Sequence, residues 1–138
     1  MTMLSQKLDT IQYKLHKIFH YKDRFIFRVK NLIRWFPIIW EDNDYDWAFF
    51  LAVIEAKAKF MADHFEDHNL FVGVEDVVVD IRRVQFLAKK LADDEYLMAE
   101  RPAGMEFKEF YEAADKAQHD DLVEMCELIK EKLFTWWD

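Results

Sequence analysis

The amino-acid sequence predicts an all-α fold: an antiparallel helical bundle of about four long helices plus one or two short ones, as a single helical domain over residues 1–138. Three observations carry this. Breakers are scarce, with Gly73, Gly104, Pro37 and Pro102 the only glycines and prolines, whereas a sheet of this size needs many tight turns. Apolar residues recur every three or four positions through most of the chain, the period of one helix face. Hydrophobic residues make up 52% of the chain and aromatics 17%, which supports one real core and opposes disorder.

The first helix is predicted over about Thr2–His20. Leu4, Leu8, Ile11, Leu15 and Ile18 are spaced four, three, four and three, a heptad seam with Lys7, Lys14 and Lys17 beside or opposite it. So narrow a stripe suits a bundle helix or one that pairs with another subunit, and a homo-oligomer is expected. Tyr21–Trp40 is basic and aromatic. Arg24, Arg28, Lys30 and Arg34 fall on neighbouring helical turns among Phe25, Phe27, Trp35 and Phe36. Pro37 is expected to stop that helix, because the residue before proline is pushed out of the helical region. Ile38, Ile39 and Trp40 should then be extended and buried.

A second long helix is predicted from Asp44 or Asp46 to Phe65, with Trp47, Phe50, Ile54, Ala58, Met61 and Phe65 as its buried stripe. Asn69–Gly73 connects it to a third over about Val74–Leu97, facing inward with Val77, Ile81, Val84, Leu87, Ala88 and Leu91. Val77–Val79 alone reads as a strand, but the surrounding helical period outweighs it. Arg101–Gly104 is the clearest break. A short helix over about Glu106–Lys116 and a last one over about His119–Trp136 follow, the latter facing in with Leu122, Met125, Cys126, Ile129 and Leu133.

The net charge of −8 is unevenly spread. Residues 1–40 carry eight Lys/Arg against Asp9 and Asp23, a net of +6, and residues 41–138 carry a net of −14. Such polarity marks either a basic contact surface or two segments that attract each other within a fold or across an oligomer. The overall negative charge disfavours long nucleic acid as a partner. Cys126 is the one cysteine, so no disulfide forms within the chain, and it is expected as a small core residue. No apolar run approaches a membrane span of about 18 residues. With no signal-peptide pattern either, the expectation is a soluble cytoplasmic protein without a membrane partner.

Four constellations invite chemistry. Arg24, Arg28, Lys30 and Arg34 with Trp40, joined by Arg82 and Arg83 from a later helix, are candidates to line a pocket for a small anion such as a nucleotide. Asp42-x-Asp44-x-Asp46 has oxygen ligands suited to magnesium or manganese. It is not an EF-hand loop, because Trp47 and Val53 stand where Gly and a bidentate Glu are needed. Its plainer reading is N-capping of the next helix together with a pairing to the basic 22–34 segment. His64 and His68, four apart beside Asp63, Glu66 and Asp67, resemble half a metal site, although zinc wants three or four ligands. Glu109, Glu112 and Asp115, then Glu124 and Glu127, give acidic helix faces of the kind a metal-dependent nucleotide pyrophosphohydrolase uses, and equally of the kind any solvated helix shows. No cofactor is demanded by any of these patterns, and the two glycines cannot build a phosphate-cradling loop.

Trp35-Phe36-Pro37-Ile38-Ile39-Trp40, then Asp42-x-Asp44-x-Asp46, then a helix carrying Lys57 and Met61, resemble a group of small tailed-bacteriophage proteins. Leu91–Tyr96 and the C-terminal Asp121-Leu122 helix ending Trp136-Trp137-Asp138 fit the same pattern, and Asn43 departs from it where an Arg is expected. The resemblance implies a phage or prophage origin, an accessory role in the host cytoplasm, and no transferable catalytic residue. Two function classes follow. One is a non-enzymatic protein that binds a small anionic ligand, such as a nucleotide signal of host defence, or else a host protein through Trp136-Trp137 or the first helix. The other is the metal-dependent nucleotide hydrolase.

Overall fold

The computed structural model describes residues 3–40, 42, 46–68 and 73–136, with side chains from residue 17 onward. Among them the fold is an all-α helical bundle: α1 Met3–Ile39, α2 Trp47–His68, α3 Val74–Ala92, α4 Glu95–Met98, α5 Phe107–Lys132, and a closing 3-10 turn Leu133–Trp136. The chain divides into two compact units, Met1–Glu41 and Asp42–Asp138.

The first unit is α1, 37 residues long and so about 55 Å from end to end. The sequence predicts two helices here, but no glycine or proline lies between residues 1 and 36 to part them. Pro37 does not stop the helix either; it lies inside the final turn. Its fixed φ near −65° is already helical, and its missing N–H removes only one bond so close to the end. The Trp40 N–H donates to the Phe36 carbonyl at 3.0 Å, and the two rings stack one turn apart at 5.0 Å. Trp40 is 72% exposed rather than buried, and Ile39 is exposed with it. An intact helix carries these side chains outward, where an extended segment was expected to fold them in.

The second unit is built on α3. Ion pairs and hydrogen bonds fix the directions: Asp63 and Glu66 of α2 meet Arg82, and further along Glu55 accepts from the Gln85 amide. On the other side Asp80 meets Lys132, Arg83 meets Glu124, and Lys90 meets Asp121. Rising numbers on α3 pair with falling numbers on both partners, so α2 and α5 each run antiparallel to it. Ile81, Val84, Leu87, Ala88 and Leu91 of α3 are almost fully buried. Leu51, Ala58, Ala62 and Phe65 of α2 pack against them, as do Tyr96, Ala114, Met125 and Trp136. Each large side chain buried there contributes about 1.5–3 kcal/mol.

The stripe of α2 is rotated from its predicted position. Ala58 and Phe65 are buried and Ile54 and Met61 pack on the core, but Trp47 is 57% and Phe50 69% exposed. Leu51 and Ala62 occupy the α3-facing positions instead, where alanine lets the helices approach closely. The third helix ends at Ala92, not near Leu97, because Asp94 turns to φ 49°. Aspartate tolerates that left-handed conformation better than most residues. Gly73 supplies φ 86° just before α3, which a glycine adopts freely. The predicted break between residues 116 and 119 is absent. Ala117 and Gln118 contain no breaker, so α5 runs unbroken for 26 residues.

Candidate functional site

A groove of about 850 Å³ lies between α2 and α5 in the second unit. One wall is Trp47, Phe50, Leu51 and Ile54; the other is Leu122, Met125, Cys126 and Ile129, with Gln118 and Lys130 as its polar members. The local reason is angular. Leu51 and Met125 turn toward α3 and are buried, whereas Trp47, Phe50 and Leu122 lie on the flank of their helices and stay exposed. Cys126, expected in the core, is exposed on the groove wall. Sequence reading assigned these residues to the core because apolar spacing alone does not say how wide a stripe the neighbouring helix covers. The width itself was the available signal: α2 and α5 carry more apolar residues than one contact with α3 can bury.

The cationic candidates are placed in two different settings. Arg82 Nη2 donates to Asp63 at 2.7 Å and to Glu66 at 2.6 Å, and its Nη1 to Gln85 at 2.8 Å. Arg83 makes a two-pronged pair with Glu124 at 2.7 and 2.8 Å and lies over the Phe86 ring at 5.5 Å. Hydrogen bonds donated to Glu66, and then to Asp63, hold the Arg82 guanidinium protonated beyond its ordinary range. Both arginines are thus engaged by carboxylates that join α2 to α3 and α3 to α5. Arg24, Arg28, Lys30 and Arg34 lie on α1, in the other unit. Arg24 and Arg28 sit one turn apart and, with Tyr21 and Phe25, line a hollow of about 260 Å³ on the helix surface. Trp40 is outside that hollow and stacks on Phe36.

The metal candidates are placed as follows. Asp46 caps α2: its Oδ1 accepts from the Ala48 N–H at 2.9 Å, which satisfies one of the free amides of the first turn. Asp42 is exposed, and Asp44 lies outside the described residues, as do Asn43 and Trp137. His64 and His68 stack with ring centroids 4.3 Å apart, and His68 Nδ1 lies 2.9 Å from the His64 carbonyl. Among the described residues no group of three or more His, Cys, Asp or Glu side chains is placed to hold a metal ion. Of the acidic helix faces, Glu124 is taken by Arg83, and Glu112 lies 3.7 Å from Lys108 of its own helix. Trp136 is buried in the core, so the C-terminal pair of tryptophans supplies at least one anchor rather than a wholly exposed hot spot.

The junction of α3, α4 and α5 holds the tightest polar cluster. Asp121 accepts from Lys90 at 2.6 Å and from the Tyr96 hydroxyl at 2.5 Å, and Lys90 lies over the Tyr96 ring at 4.5 Å. Burial pushes the Asp121 carboxyl up, but the hydrogen bonds from Lys90 and Tyr96 outweigh it and hold it below the usual carboxylate range. Burial first, then the Asp121 carboxylate, pushes the Tyr96 phenol above its ordinary value. Every member of this cluster is partnered, which is the pattern of a structural clasp.

No helix of the described residues is long and apolar enough to cross a membrane. No known protein family matches the chain, and no curated protein or solved structure is significantly similar to it.

Proposed function

We propose that this is a non-enzymatic accessory protein, of phage or prophage origin, that acts by seating an amphipathic helix of a host protein in the groove between α2 and α5. The observation that carries this reading is the groove itself. It is apolar on both walls, about 850 Å³ in volume, and edged by the exposed rings of Trp47 and Phe50. Helix-in-groove recognition uses such a surface, reading anchors at i, i+3, i+4 and i+7. Large exposed aromatics at the lip are the residue type that dominates interface energy. The net charge of −14 over residues 41–138 favours a basic partner helix, because complementary potential speeds and orients encounter.

The test is calorimetric titration of the full chain with a basic amphipathic helical peptide and with a scrambled peptide of equal charge. Binding of the first alone, weakened at least tenfold by Trp47→Ala or Phe50→Ser, supports the reading. Equal binding of both peptides, or indifference to both substitutions, overturns it.

A second reading has its own observation. The hollow formed by Tyr21, Arg24, Phe25 and Arg28 puts two guanidiniums beside two rings, the chemistry of a small anionic ligand such as a nucleotide. It predicts that nucleotides raise the thermal midpoint and that Arg28→Ala removes the rise. No rise with any nucleotide removes this reading.

A further inference from the structure

The unbroken α1 extends the heptad seam far beyond residue 18. Continued at the same alternation of four and three, it passes through Lys22, Phe25, Val29, Leu32, Phe36 and Ile39. Ten of its eleven positions from Leu4 to Ile39 are apolar, and Lys22 is the exception. All six apolar seam residues from Ile18 to Ile39 are exposed, Phe25 by 68% and Leu32 by 62%.

We propose that α1 pairs in parallel with α1 of a second copy of this chain, with the seam from Ile18 to Ile39 as the interface and Lys22 setting its register. Three arguments point to that occupant. The first is the period. A strict repeat of 3.5 residues drifts by about 20° per heptad on a straight helix and stays on one face only when two helices supercoil; a helix lying on a lipid surface has no reason to keep it. The second is area. With Ile26 and Ile33 beside them, the exposed seam residues present on the order of 900 Å² per copy, against about 800 Å² per partner in a stable interface of ordinary size. The third is charge. In a parallel pair each residue just before an a position faces the residue just after a d position of the partner, five residues further on. Between Ile18 and Ile39, Tyr21 and Arg28 then face Ile26 and Ile33, so no two cations oppose each other along that flank. An antiparallel pair of the same seam would set Arg28 against its own copy. Lys22 is left as the one charged seam position. A single lysine there selects register and partner number at a cost in stability, its stem lying on apolar neighbours while the ammonium reaches water.

The inference does not rest on the α2–α5 groove. Sedimentation equilibrium of the full chain tests it, and a dimer is expected. Phe25→Glu with Leu32→Glu should weaken association at least a hundredfold, and Lys22→Leu should tighten it at least tenfold. Mixing the wild type with Lys22→Glu should give heterodimers in excess of the statistical fraction, because the two position-22 side chains meet in a parallel pair. Trp47→Ala should leave the dimer intact. A monomer at all concentrations, indifference to Lys22→Leu, or statistical mixing overturns the proposal. A monomer that binds vesicles of anionic phospholipid would assign the seam to a lipid surface instead.

Discussion

The Tyr96 hydroxyl donates to Asp121 at 2.5 Å across 25 residues of sequence, and this bond ties α4 to α5 where Lys90 of α3 also reaches the same carboxylate. The pair gives opposite pH signatures. The folded-state pKa of Asp121 is depressed, so its stabilisation is complete above the unfolded value near 4 and is lost as pH falls through the folded one. The folded-state pKa of Tyr96 is raised, so its contribution is complete below about pH 10 and is lost as pH rises through the folded value. Asp121→Asn should cost about 1–3 kcal/mol at neutral pH, because Lys90 loses its counter-charge, and should flatten the acid limb of a stability-against-pH curve. Tyr96→Phe should cost about 1 kcal/mol and flatten the alkaline limb. Urea titrations across pH check both.

Arg82 and Arg83 read as ligand contacts in the sequence and bind carboxylates of their own unit in the fold. Their substitution should therefore act on stability and not on ligand binding. Asp63 and Glu66 are more than a third exposed, as are Arg83 and Glu124, so solvent screening keeps each pair to about 0.2–1 kcal/mol. Arg82→Ala should exceed Arg83→Ala, since it leaves two carboxylates close together. Both losses should shrink in high salt. A thermal midpoint unchanged by Arg82→Ala would show that the network carries no stability.

The helical class was legible because periodicity and the scarcity of breakers are local properties. Ile81, Val84, Leu87, Ala88 and Leu91 were found as a core for the same reason: α3 is covered on two sides, so these five residues are almost fully buried. Trp47, Phe50 and Cys126 were misplaced because their burial depends on where α2 and α5 sit relative to each other, which no local spacing encodes. Pro37 was read as a stop because the rule for proline is statistical, and one missing N–H near a helix end is cheap. The ion pairs of Arg82 and Arg83 span up to 41 residues, and nothing in either neighbourhood announces them.

Asp46 caps α2 through a single bond to the Ala48 N–H at 2.9 Å. Asp46→Ala should cost about 0.5–2 kcal/mol, whereas Asp46→Ser or Asp46→Asn should cost little, since each offers the same acceptor. A metal-ligand role would give another order, because serine and asparagine are poor replacements for a carboxylate on a hard cation. Thermal melts of the three variants with and without magnesium separate the two roles: a cap gives the same ranking in both, and a cation site gives a magnesium-dependent one.

The contrast between core and groove gives the sharpest stability test. Leu87 is 1% exposed and has neighbours on every side, so Leu87→Ala removes its transfer energy and leaves a cavity, at about 2–5 kcal/mol. Phe50 is a larger side chain, yet it lies on the open wall of the groove. Phe50→Ser should change stability by no more than about 0.5 kcal/mol, as surface substitutions do. Paired urea titrations of the two variants measure the difference directly. If Phe50→Ser proved as costly as Leu87→Ala, Phe50 would belong to the core in solution, the groove would be closed, and the helix-binding function proposed for it would fail with it.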